Sequence, residues 1–102
     1  MDINVLKWIE SWYKNNCNGD WEHSYGITIE TLDNPGWDIK IDLKGTPLEN
    51  EKMEYKLVEQ DENDWYGIKI ENAQFIASGD PNKLEFLITL FKEIVQQKAK
   101  RD

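Results

Sequence analysis

Two runs of alternating apolar and polar residues, separated by a four-residue turn, constrain the fold of this chain more than any other feature. The first run, 27–30, alternates isoleucine with threonine and glutamate, and the second, 37–43, alternates large apolar residues with aspartate and lysine. A period of two is typical of strands with one buried face and one wet face. The turn at 33–36, Asp-Asn-Pro-Gly, combines the fixed φ of proline with the positive φ that glycine tolerates. The stretch therefore predicts a β-hairpin.

Three further strands are predicted between residues 53 and 77. Apolar and polar residues alternate in 53–57 and again in 65–71, as they do in half-buried strands. Between these runs, 59–64 contains four acidic residues, and such a cluster favours a solvated turn. The dipeptide at 72–73, Asn-Ala, allows a tight reversal into a short strand at 74–77.

Helices are predicted at both ends of the chain. Apolar residues recur at helical spacing from Asp2 to about Asn15 and again in 84–95. Asp2 is expected to cap the first helix, and Asp80 with Pro81 is expected to open the last one. The order is α-β-β-β-β-β-α, which predicts an α+β fold: an antiparallel sheet of about five strands with helices covering one face. One domain spanning 1–102 is expected, because single domains commonly hold ~100–150 residues.

The charge of the chain restricts the classes of partner. Its formal net charge is −8, and residues 15–39 contain five acids and no lysine or arginine. Nucleic acid and anionic membranes would be repelled by such a surface, so neither is expected as a partner. A basic protein would be attracted. The simpler alternative is that the acidic surface only keeps the protein soluble.

The sequence predicts a protein of a reducing compartment, the cytoplasm. Its single cysteine cannot form an internal disulfide. No apolar run approaches the ~20 residues that span a bilayer. The first four residues, Met-Asp-Ile-Asn, lack the basic start of a signal peptide.

Four potential metal ligands lie within seven residues of one another: Cys17, Asp20, Glu22 and His23. Zinc accepts these ligand types, but their spacing matches none of the usual paired patterns. Cys17 and His23 would also form a nucleophile and base if the fold brought them together. The neighbouring carboxylates disfavour a thiolate, however, and no glycine-rich phosphate loop is present. A hydrogen-bonded structural loop is therefore the preferred interpretation, with no metal, cofactor or enzymatic activity.

The same loop and the hairpin that follows it are the expected partner-binding region. Asp20 and Glu22 flank Trp21, and charges around an aromatic side chain are common at protein interfaces. The polar residues of the hairpin would form an acidic sheet surface, for which plain solvation is the alternative. The residues expected to contact a partner are Asp20, Trp21, Glu22, His23, Tyr25, Glu30, Asp38 and Asp42.

Several motifs along the chain carry a family resemblance. They are Trp12-Tyr13, Cys17-x-Gly19-Asp20-Trp21-Glu22-His23-x-Tyr25-Gly26-Ile27, Thr31-Leu32-Asp33-Asn34-Pro35-Gly36-Trp37, Ile41-Asp42-Leu43-x-Gly45-Thr46, Trp65-Tyr66 and Gly79-Asp80-Pro81. With these motifs the chain resembles the immunity protein 53 family. The resemblance implies a bacterial immunity protein of a polymorphic toxin system, which binds a cognate toxin and occludes its active site or an adjacent surface.

Two other functions remain open at this point. The first is a small metal-binding or thiol-dependent domain built on the loop that contains Cys17 and His23. The second is an interaction module unrelated to toxins. The resemblance, and not the composition, favours the immunity protein over both.

Overall fold

The structure is a computed structural model that describes residues 4–101. Within this range the chain forms three helices and five strands: α1 Val5–Asn16, α2 Trp21–Ser24, β1 Ile27–Leu32, β2 Gly36–Asp42, β3 Met53–Asp61, β4 Asp64–Glu71, β5 Gln74–Gly79 and α3 Leu84–Arg101. The predicted α+β class is confirmed, with the short helix α2 as an addition. No helix in the described range has the length and apolar character to cross a membrane.

The five strands form one antiparallel sheet in the order β1-β2-β5-β4-β3. The predicted hairpin is confirmed, because β1 pairs with β2 from Ile27 opposite Ile41 to Leu32 opposite Gly36. The last strand in sequence, β5, lies in the centre, between β2 and β4. This leaves β1 and β3 as the two edges of the sheet.

The hydrophobic core lies between one face of the sheet and the helices α1 and α3. The alternating residues of the three inner strands and the apolar stripe of α3 meet there, as predicted. The buried core residues are Val5, Ile39, Ile41, Leu43, Leu48, Ile68, Ile70, Phe75, Ala77, Leu87, Ile88 and Phe91. The opposite face of the sheet, called the open face below, carries the polar residues of the same strands.

The cap of α1 is Asn4, whose Oδ1 accepts hydrogen bonds from the backbone N–H of Leu6 at 2.8 Å and of Lys7 at 3.4 Å. Such a bond satisfies a donor at the helix start that has no partner within the helix. The predicted cap, Asp2, lies outside the described residues.

The predicted start of the last helix is wrong, since α3 begins at Leu84. Asp80 is buried instead. It accepts hydrogen bonds from the backbone N–H of Trp65 at 2.9 Å and of Asn82 at 2.8 Å, and from Lys83 Nζ at 2.7 Å. Burial would raise the pKa of Asp80, but the hydrogen bonds from Lys83, Asn82 and Trp65 lower it on balance. Asp80 therefore ties the start of β4 to the connection between β5 and α3.

The hairpin turn differs from its prediction at Gly36. The chain reverses over Asp33–Pro35, with a cis peptide between Asn34 and Pro35, and Gly36 already belongs to β2 without a positive φ. Glycine is needed there because a Cβ would collide with the carbonyl oxygen of Gly79 on the neighbouring strand. The reversal at 72–73 is confirmed, with φ of 53° at Asn72 and 59° at Ala73.

The strand β3 is longer and less regular than predicted. It continues to Asp61, so the first half of the predicted acidic turn is strand. Its pairing with β4 shifts register between Met53 and Lys56. As a result Met53 packs on the core, while the Tyr55 ring lies against Gly67 on the open face.

Candidate partner-binding surface

The predicted loop is a compact turn that contains α2 and is closed by its own side chains. Asn18 Oδ1 accepts hydrogen bonds from the backbone N–H of Asp20 at 3.0 Å and of Trp21 at 2.9 Å. The Glu22 carboxylate accepts the N–H of Asn18 and of Gly19, each at 2.9 Å. Hydrogen bonds from its own backbone N–H, and then from Asn18 and Gly19, lower the pKa of Glu22. Glu22 thus shapes the loop as well as charging it.

Trp21 attaches α2 to the body of the protein. Its side chain is only 7% exposed, and its Nε1 donates to the carbonyl oxygen of Lys44 at 2.8 Å. The indole packs edge-on against Trp12 and Tyr13, at centroid distances of 6.1 and 6.0 Å. Its ring therefore faces inward, and the exposed aromatic side chains beside it are Tyr13 and Tyr25, at 39% and 38%.

The predicted acidic residues fall into two groups. Asp20 and Glu30 are exposed, as is His23. Asp42 is partly buried and accepts the backbone N–H of Gly26 at 3.0 Å and Gln74 Nε2 at 2.9 Å. Asp38 likewise is partly buried and accepts from Ser78 Oγ at 2.9 Å. The first group is available to a partner, whereas Asp38 and Asp42 hold neighbouring strands together.

Two of the four potential metal ligands, Cys17 and Glu22, take part in separate hydrogen bonds. The Cys17 thiol donates to the carbonyl oxygen of Tyr13 at 3.3 Å. Both oxygens of Glu22 accept backbone N–H groups, as described above. Among residues 4–101, no three histidine, cysteine, aspartate or glutamate side chains are grouped to hold a metal ion.

An apolar groove of about 480 Å³ runs between α1 and the edge strand β1. Its lining residues are Ile9, Glu10, Tyr13, Tyr25, Gly26, Ile27 and Ile29. Ile29 is 46% exposed although it points to the same face as the core residue Ile39 opposite it. Ile9, Tyr13 and Ile29 were not among the residues predicted to contact a partner. Alternation indicates which face of a strand is apolar, but it does not show how much of that face the helix covers.

A second groove, of about 450 Å³, separates α2 from the segment after β2. Asp20, Tyr25 and the ion pair of Lys44 with Glu49, at 2.7 Å, line it. The Glu49 carboxylate raises the pKa of Lys44, and the ammonium group in turn lowers the pKa of Glu49, helped by the Gly45 N–H. Tyr25 lines both grooves, so this predicted residue lies at their junction.

The open face of the sheet carries acidic, basic and apolar side chains in different rows. One row of directly paired residues crosses all five strands: Glu30, Asp38, Ser78, Gly67 and Leu57. The next row places Lys40 and Lys69 on either side of Ile76. In the first row the acidic side chains therefore lie near β1 and β2, while acids elsewhere on this face include Glu71, which forms an ion pair with Lys69.

One comparison with known proteins identifies a family. The family model described as Immunity protein 53 matches residues 6–96. Neither the comparison with curated proteins nor the comparison with solved structures gave a match. The matched range contains α1 from its second residue, the α2 loop and all five strands, together with the grooves described above. Because this range is most of the 102-residue chain, the protein belongs to the Immunity protein 53 family.

Proposed function

We propose that this protein is an immunity protein that binds the cognate toxin of a bacterial polymorphic toxin system and neutralises it. Membership of the Immunity protein 53 family is the observation that carries the proposal. Neutralisation works by occlusion: the bound protein covers the toxin's active site or a surface beside it. The protein acts in the cytoplasm by binding alone, without a cofactor or catalysis of its own.

The proposed binding surface is the end of the molecule formed by the α2 loop and β1. Exposed side chains suited to direct contact are those of Asp20, His23, Tyr25 and Glu30. The other predicted residues hold the loop and the hairpin in place through the hydrogen bonds described above. They are Trp21, Glu22, Asp38 and Asp42. A surface held this firmly loses little conformational entropy when a partner binds.

Electrostatics supports a basic toxin. The segment 15–39 contributes five acidic side chains without a lysine or arginine, and the whole chain has a net charge of −8. Complementary charge accelerates the encounter of two proteins and orients them before contact. A positively charged toxin surface, such as the surroundings of an active site that acts on a polyanion, would be attracted to this end of the molecule.

The test begins with the genes beside this one, which are searched for a secreted protein with a candidate toxin domain, and that domain is then co-expressed with this protein. We expect bacteria that make this domain to survive only when the immunity protein is made as well, and the two proteins to co-purify. Growth arrest despite full expression of the immunity protein, with no complex on size-exclusion chromatography, would contradict the proposal.

A further inference from the structure

We propose that the free edge of β1 and the apolar groove beside it receive an extended segment of the toxin, which pairs with β1 as a sixth strand of the sheet. This inference rests on the proposed function and specifies how the toxin is held. Strand addition to an exposed sheet edge is a general mode of peptide recognition, in which main-chain hydrogen bonds supply affinity and side-chain pockets supply specificity.

The backbone of β1 offers its hydrogen-bonding groups on the outer side. The N–H of Asp42 donates to the carbonyl oxygen of Gly26 at 3.0 Å, which fixes the phase of the β1–β2 ladder. Since antiparallel pairs alternate between bonded and non-bonded, the N–H and C=O groups of Ile27, Ile29 and Thr31 point away from β2. Among the backbone hydrogen bonds outside helices and ladders in residues 4–101, none involves these three residues.

The two edge strands differ in how they are protected. Natural sheets block unwanted edge pairing with bulges and charged side chains. The edge strand β3 has both, because its pairing with β4 shifts register twice and four of its nine residues are charged. The edge strand β1 pairs with β2 in continuous register over 27–32, and Glu30 is its one charged residue. The β3 edge is therefore protected against pairing with another strand, whereas the β1 edge is not.

The groove supplies the side-chain pocket that such a segment needs. Ile27 and Ile29 form its floor on β1, while Tyr13 and Tyr25 form exposed aromatic walls. Every second side chain of an added strand would point to this face of the sheet. The remaining side chains would point to the open face, beside Glu30. The structure therefore fits a segment that alternates apolar residues with lysine or arginine.

Charge favours the toxin over a second copy of this chain as the occupant. Pairing of two β1 edges would bring two chains of net charge −8 together and place Glu30 of each close to the other strand. The six residues of β1 span about 20 Å. A specific complex buries roughly 1,200–2,000 Å² in total, so the toxin must also contact the adjoining α2 loop, where Asp20 and His23 are exposed.

Hydrogen exchange of the isotopically labelled protein tests the pairing directly, with the inactivated form of the toxin domain identified by co-expression as the probe. We expect the amides of Ile27, Ile29 and Thr31 to become protected in the complex. A complex in which these amides exchange as in the free protein would overturn strand pairing and leave the immunity function standing. Protection that appears without the toxin domain and grows with protein concentration would identify a second copy as the occupant and overturn the proposal.

Two variants of the same strand test the groove. Ile29→Lys places a charge in the groove, whereas Thr28→Lys adds the same charge to the open face of β1. We expect Ile29→Lys to raise the Kd for the toxin domain about tenfold or more and Thr28→Lys to raise it less than about threefold. Circular dichroism and the Tm confirm that both variants fold. Equal Kd values would exclude the groove, whereas the absence of any complex with the unmodified protein would overturn the proposed function as well.

Discussion

Asp80 shows how a single residue in this chain combines local and long-range roles. Its sequence context, Gly-Asp-Pro, resembles the start of a helix, and only the fold reveals that the carboxylate is buried. Lys83 Nζ lies 2.7 Å from Asp80 and 2.7 Å from Asp64, so one ammonium group joins the two carboxylates. The site connects β4 with the segment that leads into α3.

Substitution of Asp80 is expected to destabilise the fold strongly. Asp80→Asn keeps the size of the side chain but removes the charge that Lys83 and two backbone N–H groups face. Breaking a buried charged network of this kind costs about 2–4 kcal/mol. Urea titration measures the loss, with the exposed Asp33→Asn as the matched control, for which we expect about 0.5 kcal/mol or less. Equal midpoints for the two variants would contradict the role assigned to Asp80.

The lowered pKa of Asp80 also predicts how stability depends on pH. Because the folded state holds this carboxyl below its ordinary pKa, its contribution is present above the unfolded pKa of about 4 and is lost as the pH falls through the folded value. Urea titrations from pH 7 to pH 2.5 should therefore show the stability gap between the unmodified protein and Asp80→Asn narrowing below about pH 4. A gap that stays constant across this range would mean that the carboxylate charge is not what stabilises the site.

Cys17 is expected to be dispensable for function. Its thiol is partly buried and donates to the carbonyl oxygen of Tyr13, a bond that a serine hydroxyl can replace. Cys17→Ser should protect bacteria against the toxin as well as the unmodified protein does, with a change in stability of about 0.5 kcal/mol. A survival assay and a thermal melt measure the two quantities. Loss of protection with an unchanged Tm would favour the thiol or metal function over the immunity function.

At the scale of elements, regular periodicity was predictable from sequence and irregular structure was not. The hairpin of β1 and β2 shows in the sequence because apolar and polar residues alternate through 27–30 and 37–43. The register shift in β3 does not show in the sequence, because the extra residue of a bulge can be of any apolar or polar type. The helix α2 was missed because its four residues are too few to show a helical repeat.

The packing of α3 carries a prediction with a control on the same helix. Phe91 is fully buried, with its ring centroid 5.0 Å from that of Trp12 and 5.1 Å from that of Phe75. Phe91→Ala is expected to cost about 3–5 kcal/mol, because it leaves a cavity in the core. Phe86 is 39% exposed and contacts Tyr66 at 4.8 Å, so Phe86→Ala should cost about half as much or less. Denaturant titration of both variants is the measurement, and a loss below about 1 kcal/mol for Phe91→Ala would contradict the packing described.

At the scale of the whole molecule, the sequence does not show which side chains of the candidate region face solvent. The aromatic loop leads directly into β1, so Asp20 and Glu30 lie on adjoining elements. Which side chains face solvent depends on tertiary contacts: Trp21 turns inward, Asp42 is held by Gly26, and Ile29 stays exposed because the helices leave the β1 edge uncovered. These contacts connect elements that are far apart in the sequence, so no local sequence pattern reveals them.

The distribution of charge over the molecule leads to a prediction about association kinetics. Asp20 and Glu30 are exposed acids at the proposed binding end, while Glu59 and Glu62 are exposed acids at the far edge of the sheet. If the toxin is basic, Asp20→Asn with Glu30→Gln should slow association about threefold to tenfold at low salt, because long-range attraction accelerates the encounter.

The control pair, Glu59→Gln with Glu62→Gln, changes the net charge by the same amount and should have a smaller effect. Surface plasmon resonance with the toxin domain at two salt concentrations separates the pairs, and the difference should shrink at high salt as the charges are screened. Equal association rates for both pairs, or rates indifferent to salt, would exclude electrostatic steering by the α2 and β1 end of the molecule.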